Sequence, residues 1–292
     1  MLKIKIPLSV PKAKKKEYEQ NYKNLTNCSG KMLLIAGDQK VEHLNSDFFG
    51  PGISKEDTNP KHLFDIAQAS HGGVLATHLG FIARYGLDYQ KIPYIVKMNG
   101  KTNMGSNDEK NSSALWWSVS NIVKFKKDSG LKIGGLGYTV YLGGKYEAEM
   151  LKEAAKMTYE AHQAGLLSII WMYPRGKNVN EDDIHTIAGG AGVAGALNAD
   201  FVKIKYPFNL KDRKKAAQAF KEAVLAAGET KIICVGGSKR SEKEMLEFLK
   251  LQIEVSGSSG LAIGRNLHQR NLQEATTMTK KMADIIFKNT NS

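Results

Sequence analysis

Residues 146–172, YEAEMLKEAAKMTYEAHQAGLLSIIWM, contain one change from a helical pattern to a strand pattern. From Tyr146 onward, Glu and Lys alternate with Ala, Met and Leu at three- and four-residue spacing, the period of an amphipathic helix. Gly165 closes this helix, because glycine readily adopts the left-handed conformation common at helix ends. The apolar run at 167–172 then predicts a buried strand.

The same alternation repeats along the chain from residue 31 onward. Eight runs predict strands, at 32–37, 73–77, 93–98, 131–140, 167–172, 200–205, 231–235 and 260–264. Helical patterns lie at about 60–69, 80–88, 112–128, 145–164, 181–197, 211–227, 241–251 and 268–288. Eight strand–helix repeats predict an α/β protein whose residues 31–292 form a single (β/α)8 TIM barrel. A doubly wound open sheet is the alternative.

The composition is that of an ordinary globular protein. Of the 292 residues, 42% are hydrophobic and 24% are charged, which argues against a disordered chain or a membrane protein. The N-terminus has no apolar h-region, so secretion is not expected. Cys28 and Cys234 lack the spacing of a zinc site, and we expect reduced thiols in a cytoplasmic protein.

The formal net charge is +13, and seven lysines fall within the first 23 residues. Such a charge suits nucleic acid, an anionic membrane surface or phosphorylated substrates, and it is also found in lysine-rich proteomes. Residues 1–30 contain neither interleaved aromatic residues nor a known binding motif. We therefore expect a solvated basic N-terminal extension, with a nucleic-acid-binding arm as the alternative.

Catalytic groups of a barrel come from the C-terminal ends of its strands. The first strand ends in Asp38-Gln39-Lys40-Val41-Glu42-His43, with two carboxylates and a histidine in six residues. The fourth ends in Gly137-Tyr138-Thr139-Val140-Tyr141. The alternative for the first segment is that Asp38 caps a turn and His43 is simply exposed, and for the fourth that its glycines only permit close packing.

The fifth strand ends in Trp171-Met172-Tyr173-Pro174-Arg175-Gly176. The period of two places Trp171 and Tyr173 on one face, which points into the barrel if Ile169 does. Core packing is the alternative for this aromatic pair. Arg175, next to proline and glycine at a strand end, favours anion binding.

The sixth strand carries two lysines on one face of an otherwise apolar run, Ala199-Asp200-Phe201-Val202-Lys203-Ile204-Lys205-Tyr206. A closed barrel has no edge and its outer face is covered by helices, so both lysines should point inward. Lost hydration and mutual repulsion would then lower the pKa of Lys203, the deeper of the two, which a Schiff-base nucleophile needs. The alternative is a pair that reaches out to solvent at the barrel mouth.

The seventh and eighth strands end in Gly236-Gly237-Ser238-Lys239 and Gly264-Arg265-Asn266. Glycines let backbone N–H groups approach an anion, the following helix starts add favourable dipoles, and the basic side chains add charge-assisted hydrogen bonds. Barrels commonly bind phosphate in this region. The two segments together predict a phosphate site.

In this order, these segments resemble the archaeal-type class I fructose-1,6-bisphosphate aldolases, part of the superfamily that includes deoxyribose-phosphate aldolase. The likeness spans residues 32 to about 270, and 1–30 fall outside it. It implies Lys203 as the Schiff-base lysine, Tyr173 as proton donor and acceptor, and Asp38 as the contact of the substrate hydroxyls and the carbinolamine. It further implies that the substrate is held by Gln39, His43, Trp171, Arg175, Lys205, Gly236, Gly237, Ser238, Lys239, Gly264 and Arg265.

The resemblance also implies a lysine imine without cofactor or metal, phosphorylated sugars as substrates, a role in glycolysis or gluconeogenesis, and a homo-oligomer. Members often carry a carboxylate about ten residues after the lysine, whereas Arg213 stands here, with Asp212 beside it. The general base is therefore open between Asp212, Tyr173 and Asp38.

Several other functions remain open from the sequence. Relatives with the same barrel, lysine and phosphate loops include amino-dideoxy-heptulosonate synthases and a thiolase acting on a quorum-signal phosphate. A metal-dependent aldolase would need clustered ligands, but the seven histidines show no HxxH or HxH pairing. An inert barrel scaffold, or a nucleic-acid-binding protein that uses the positive charge, is the non-enzymatic alternative.

Overall fold

The computed structural model describes residues 2–105, 111–207 and 212–288. Eight parallel strands, β1 to β8, form the central sheet: Met32–Ala36, Gly73–His78, Tyr94–Lys97, Ile133–Leu142, Leu167–Pro174, Phe201–Ile204, Lys231–Val235 and Gly260–Ile263. Strand β1 pairs with β2 on one side and with β8 on the other, where Met32 lies opposite Gly260. The sheet is therefore closed. The predicted TIM barrel is confirmed, and the open sheet is wrong.

Twelve α-helical segments are found in the described ranges. In chain order, α1 to α12 are Lys15–Leu25, Gln39–Glu42, Lys61–Ala69, Leu79–Tyr85, Val119–Ser129, Glu147–Gln163, Ile184–Ala196, Arg213–Ala219, Lys221–Ala227, Glu242–Glu254, Arg265–His268 and Leu272–Lys288. None of the helices described is both long and apolar enough to cross a bilayer.

Two predicted helices differ most from the observed ones. The helix predicted at 112–128 begins only at Val119, because Ser118 and Asn121 form a capping box there. Residues 114 and 115 pair instead with 99 and 100 in a small antiparallel ladder. The helix predicted at 211–227 is divided into α8 and α9, and its first position, 211, lies outside the described residues.

Alternate residues of the strands face the barrel interior, as the period of two requires. The amino-terminal half of the interior is apolar and is filled by Leu34, Val74, Ile95, Leu167, Ile169, Phe201, Ile233 and Ala262. The next inward positions toward the carboxyl ends are polar, and they include Asp38, His78, Lys97, Thr139 and Lys203, all of them buried. A polar layer thus lies on an apolar floor.

Helix α1 closes the amino-terminal end of the barrel. Its Tyr18 and Leu25 are buried in the same cluster as the interior residues. The lack of a side chain at Gly135 makes room for this contact, since a Cβ there would lie 3.1 Å from Cδ1 of Leu25. The expected solvated extension is therefore wrong for this helix, of which Lys15, Lys16 and Gln20 are exposed.

A buried hydrogen-bond network fixes α1 to the barrel. The Tyr18 hydroxyl donates to Oδ1 of Asp200 at 2.5 Å. The other carboxylate oxygen of Asp200 accepts from the Ser168 backbone N–H at 2.7 Å and bonds His162 Nε2 at 3.0 Å. Every one of these groups is buried, so a lost partner would leave a carboxylate oxygen desolvated without compensation.

We predict that Tyr18→Phe lowers the free energy of unfolding by about 1.5–3 kcal/mol, because a hydrogen bond to a buried charged acceptor is lost. Equilibrium unfolding in urea measures the change. Tyr159→Phe is the matched control, since Tyr159 is 59% exposed. A Tyr18→Phe effect no larger than that of the control would contradict this account of the barrel floor.

Candidate active site

A cavity of about 510 Å³ opens at the carboxyl ends of the strands. Twelve of the fourteen predicted site residues line it: Asp38, Gln39, His43, Tyr173, Arg175, Lys203, Lys205, Gly236, Gly237, Ser238, Gly264 and Arg265. Trp171 lies beneath them, with its ring centroid 5.2 Å from the Lys203 ammonium. The barrel therefore brings thirteen of these side chains or backbone segments to one place.

Lys239 is the predicted residue that does not reach the cavity. Its ammonium donates to the carbonyl oxygen of Gly52 at 2.7 Å and to that of Gln269 at 3.3 Å. The next residue, Arg240, lines the cavity instead. The sequence places two basic residues at this strand end, but the direction of the loop decides which of them faces the cavity.

Lys203 is buried in the polar layer, 5% exposed, at the centre of strand β6. Burial lowers its pKa, but its interactions with Tyr173, Asp38 and Glu42 raise it by more, so that the pKa lies above its ordinary value. The predicted lowering of this pKa is therefore wrong. The free protein holds Lys203 as an ammonium.

Lys205, the expected source of repulsion, is itself paired with two carboxylates. Its ammonium is 2.7 Å from Oδ1 of Asp182 and 3.5 Å from Oε1 of Glu181. An ion pair this close compensates the charge, so little repulsion is left to act on Lys203. The deeper position of Lys203 is as expected, because the Lys205 side chain keeps 28% of its exposure.

Asp38 follows strand β1 and is 2% exposed. Burial raises its pKa, but its interactions with Lys203, Lys97 and His78 outweigh that effect and hold the pKa below its ordinary value. Within the described part of the chain, its Oδ1 atom is buried and has no hydrogen-bond partner. Asp38 is thus an ionised carboxylate with a free acceptor atom.

Tyr173 stacks against Tyr141 at a centroid distance of 6.0 Å and carries the Arg175 guanidinium 4.7 Å from its ring centroid. Burial raises the pKa of Tyr173, and although Lys203 lowers it, Glu42 and Asp38 raise it further. The phenol is therefore protonated at neutral pH.

The Trp171 ring packs over Gly137, where a Cβ would lie 2.3 Å from the ring atom Cζ3. This glycine therefore permits close packing, as the sequence suggested. The aromatic ring forms the floor under Lys203 and keeps water away from one side of its amine.

Lys97 is a second buried lysine that the sequence reasoning missed. It ends strand β3, is 0% exposed, and donates to the carbonyl oxygen and to Oδ1 of Asn99 at 2.8 and 2.9 Å. Burial lowers its pKa, and Lys203 adds to this, while Glu42 and Asp38 oppose it. The signal was present, because Lys97 lies in an otherwise apolar strand just as Lys203 does.

His78 was also missed, at the end of strand β2. It is 5% exposed, and its ring stacks on Trp116 with centroids 4.6 Å apart. Burial, together with Lys97, lowers the pKa of His78 to about 4, so the ring is neutral at pH 7. The alternation of strand β2 could have found it, since Val74 and Ala76 face inward on the same strand.

Asn266 shapes the loop of the predicted phosphate site. Its amide nitrogen lies 3.3, 3.4 and 2.9 Å from the carbonyl oxygens of Gly236, Gly237 and Ser238. Because C=O and N–H point in opposite directions in a trans peptide, the N–H groups that follow these carbonyls point away from Asn266. Helix α11 has only four residues, and α10 begins at Glu242, beyond the glycine loop, so neither helix start supports the predicted phosphate site. The candidates that are left for binding an anion are the backbone N–H groups of the loop and Arg265.

The two residues at the position of the missing carboxylate do not reach the cavity. Asp212 caps helix α8 by accepting from the backbone N–H groups of Lys214 and Lys215. Arg213 pairs with Glu244 and Glu247. Asp212 is therefore excluded as the general base by its position, and Leu210 and Lys211 lie outside the described residues.

The sequence matches the DeoC/LacD family of aldolases over residues 32–270. The chain belongs to this family. It is 51% identical over 276 residues, covering 94% of this chain and 87% of the relative, to "Fructose-bisphosphate aldolase/6-deoxy-5-ketofructose 1-phosphate synthase" of Methanocaldococcus jannaschii. The resemblance drawn from the strand ends is confirmed, and the chain is an aldolase of class I.

Two solved structures relate the geometry to this family. Fructose-bisphosphate aldolase from Slackia heliotrinireducens has a TM-score of 0.93 and 43% identity, with coverage of 98% of this chain and 91% of that one. An archaeal fructose-1,6-bisphosphate aldolase with its catalytic lysine bound to the carbinolamine intermediate has a TM-score of 0.77 and 27% identity, with coverage of 92% and 99%. The class is therefore that of Schiff-base-forming aldolases.

We predict that Lys97→Met raises the pKa of Asp38, because one of the two lysines that lower it is removed. A carbon-13 NMR titration of the Asp38 carboxyl measures the shift. Lys124→Met, at an exposed lysine outside the cavity, is the control and should leave the titration unchanged. An Asp38 titration that is the same in both variants would mean that the Lys97 charge does not act on it.

Proposed function

We propose that this aldolase cleaves fructose 1,6-bisphosphate reversibly to dihydroxyacetone phosphate and glyceraldehyde 3-phosphate through an imine on Lys203. One arrangement carries the proposal: a buried ammonium with Asp38 and Tyr173 around it, at the base of a cavity with basic groups on two sides. Arg265 and the glycine loops stand on one side, and Arg175 and Lys205 on the other. A bisphosphate has one anionic group for each side.

The raised pKa of Lys203 is compatible with imine formation. An ammonium carries three protons, and condensation with the C2 carbonyl leaves one on the iminium nitrogen and two on the released water. No proton therefore has to enter or leave the site, provided that nearby groups relay protons from nitrogen to oxygen. Asp38, ionised and with a free oxygen, is suited to this relay and to binding the substrate hydroxyls.

Cleavage of the C3–C4 bond then sends its electron pair into the iminium, which becomes an enamine, while C4 becomes the aldehyde carbon. The C4 hydroxyl loses one proton, and C3 of the enamine later gains one, so the two transfers balance. We assign the acceptor role to the Asp38 carboxylate and the donor role to the protonated Tyr173. A return of the proton from Asp38 to Tyr173 restores both groups.

The lysine imine is the electron sink in this scheme, so we propose that no metal or other cofactor takes part. No group of three His, Cys, Asp or Glu side chains that could hold a metal ion occurs in residues 2–105, 111–207 and 212–288. The cytoplasmic location, the homo-oligomer and the place in glycolysis or gluconeogenesis remain predictions of the sequence.

A second candidate comes from the M. jannaschii relative, whose second printed activity is that of a 6-deoxy-5-ketofructose 1-phosphate synthase. That name describes a product with a phosphate on C1 and no phosphate on C6. The lysine chemistry and one phosphate contact would be common to both reactions. The two functions differ only in what occupies the side of the cavity formed by Arg175 and Lys205.

We predict that Lys203→Met abolishes both turnover of fructose 1,6-bisphosphate and borohydride trapping of dihydroxyacetone phosphate, because the amine that forms the imine is gone. Lys205→Met is the matched control, and it should still trap the adduct, with a raised KM for the bisphosphate. Peptide mass mapping locates the trapped residue. A wild-type adduct on Lys205, or turnover by Lys203→Met, would overturn the assignment.

We predict that Arg265→Gln raises KM for fructose 1,6-bisphosphate roughly 10- to 150-fold with a smaller effect on kcat, as expected for one charge-assisted phosphate contact. Lys239→Gln, one strand away, should change KM far less, because its ammonium is held by two backbone carbonyls. Steady-state kinetics on both variants is the test. Equal KM values for the two would show that Arg265 does not contact phosphate.

A further inference from the structure

The cations on the β5 and β6 side of the cavity already have anionic partners from this chain. The Lys205 ammonium is 2.7 Å from Asp182 Oδ1 and 3.5 Å from Glu181 Oε1. Oε2 of the same glutamate lies 3.4 Å from Nε of Arg175. Two carboxylates and two cations thus form a closed group of ion pairs at the cavity wall.

The opposite side of the cavity is built differently. Among the described residues, Nε of Arg265 is buried and has no hydrogen-bond partner, and its nearest carboxylate oxygen, Oδ2 of Asp47, is 3.9 Å away. That oxygen is already in close contact with Nδ1 of His43. Arg265 therefore keeps hydrogen-bonding capacity for an external anion, whereas Arg175 and Lys205 hold an internal one.

We propose that Glu181 and Asp182 act as an internal counter-anion, so that this side of the cavity accepts aldehydes both with and without a phosphate group. The inference rests on the proposed function, because it concerns the aldehyde half of that reaction. A phosphorylated aldehyde displaces the two carboxylates from Arg175 and Lys205. An uncharged aldehyde leaves the ion pairs intact and needs no anion of its own.

The electrostatic argument compares the site with and without the carboxylates. Without them, an uncharged aldehyde would leave two cations close together at a partly enclosed wall, with only water to compensate their charges. With them, a phosphate must compete with two carboxylates for the same donors, so its binding is weakened. Glu181 and Asp182 therefore weaken the binding of the phosphorylated aldehyde and favour that of the uncharged one, and both effects reduce the preference for the phosphorylated aldehyde.

The position of the acidic pair allows this exchange. The side chains of Glu181 and Asp182 are 42% and 40% exposed, so they can rotate into solvent without opening the core. The next residue, Asp183, caps helix α7 by accepting from the Thr186 backbone N–H at 2.9 Å. Because the cap is a separate residue, movement of the pair leaves the helix start intact.

The test compares glyceraldehyde 3-phosphate with glyceraldehyde, each condensed with dihydroxyacetone phosphate. In Glu181→Gln/Asp182→Asn, the ratio of kcat/KM for the phosphorylated over the unphosphorylated aldehyde should rise roughly 3- to 30-fold, since two exposed ion-paired carboxylates are lost. We expect KM to fall for glyceraldehyde 3-phosphate and to rise for glyceraldehyde. A ratio within twofold of the wild type overturns the proposal.

A control variant removes the same net charge far from the cavity. Asp88→Asn/Glu254→Gln changes two exposed carboxylates that do not line it, and its ratio should equal that of the wild type. Lys205→Met, added to the Glu181/Asp182 variant, should remove most of the gain for the phosphorylated aldehyde. A gain that persists in this triple variant would also contradict the proposal, because the freed cation would not be its source.

Inorganic phosphate separates this proposal from the proposed function. Calorimetric titration should show tighter phosphate binding by the Glu181/Asp182 variant than by the wild type, and this measurement needs no turnover. If the variant binds phosphate more tightly than the wild type, but the wild type gives no borohydride adduct on Lys203, the proposed function alone is contradicted. If the wild type forms the adduct, but the two proteins bind phosphate equally tightly, the counter-anion proposal alone is contradicted.

Discussion

Closure of the sheet between β1 and β8 is the constraint on which the site depends. In an open sheet, inward-facing polar side chains at the strand ends could turn to an edge or to solvent. In this barrel they can only face one another, and Asp38, Lys97 and Lys203 are accordingly buried together. Their charges then fix the protonation states: the Asp38 carboxylate is held ionised by two lysines, and Lys203 is held protonated by acidic groups.

Much of this could be predicted because it depends on local periodicity. Eight strands, their order and the inward face of β5 and β6 follow from patterns of two and of three to four residues. Lys203 was found because it interrupts an apolar strand, and Lys97 could have been found by the same reasoning. Features that depend on contacts between distant segments could not be predicted. The pairing of Lys205 with Asp182 depends on the loop after β5. Whether Arg240 or Lys239 turns toward the cavity depends on the path of the loop after β7.

The error about the pKa of Lys203 illustrates the same limit. Two lysines on one strand face predict repulsion, which is correct only if neither has a closer partner. The carboxylates that compensate Lys205 come from twenty-odd positions earlier in the chain, and those around Lys203 come from the first strand end. The sign of a pKa shift at a buried site thus depends on the sum over all neighbouring strands, and a single strand does not determine it.

Helix α1 has a practical consequence for how this protein is cut into fragments. The segment shared with the aldolase family begins at residue 32, which is the first residue of β1. A fragment that starts there would lack Tyr18 and Leu25 and would expose the apolar lower end of the barrel to water. Such a fragment would contain all the groups that line the cavity but would have an uncovered hydrophobic surface, and aggregation rather than loss of chemistry would limit its use.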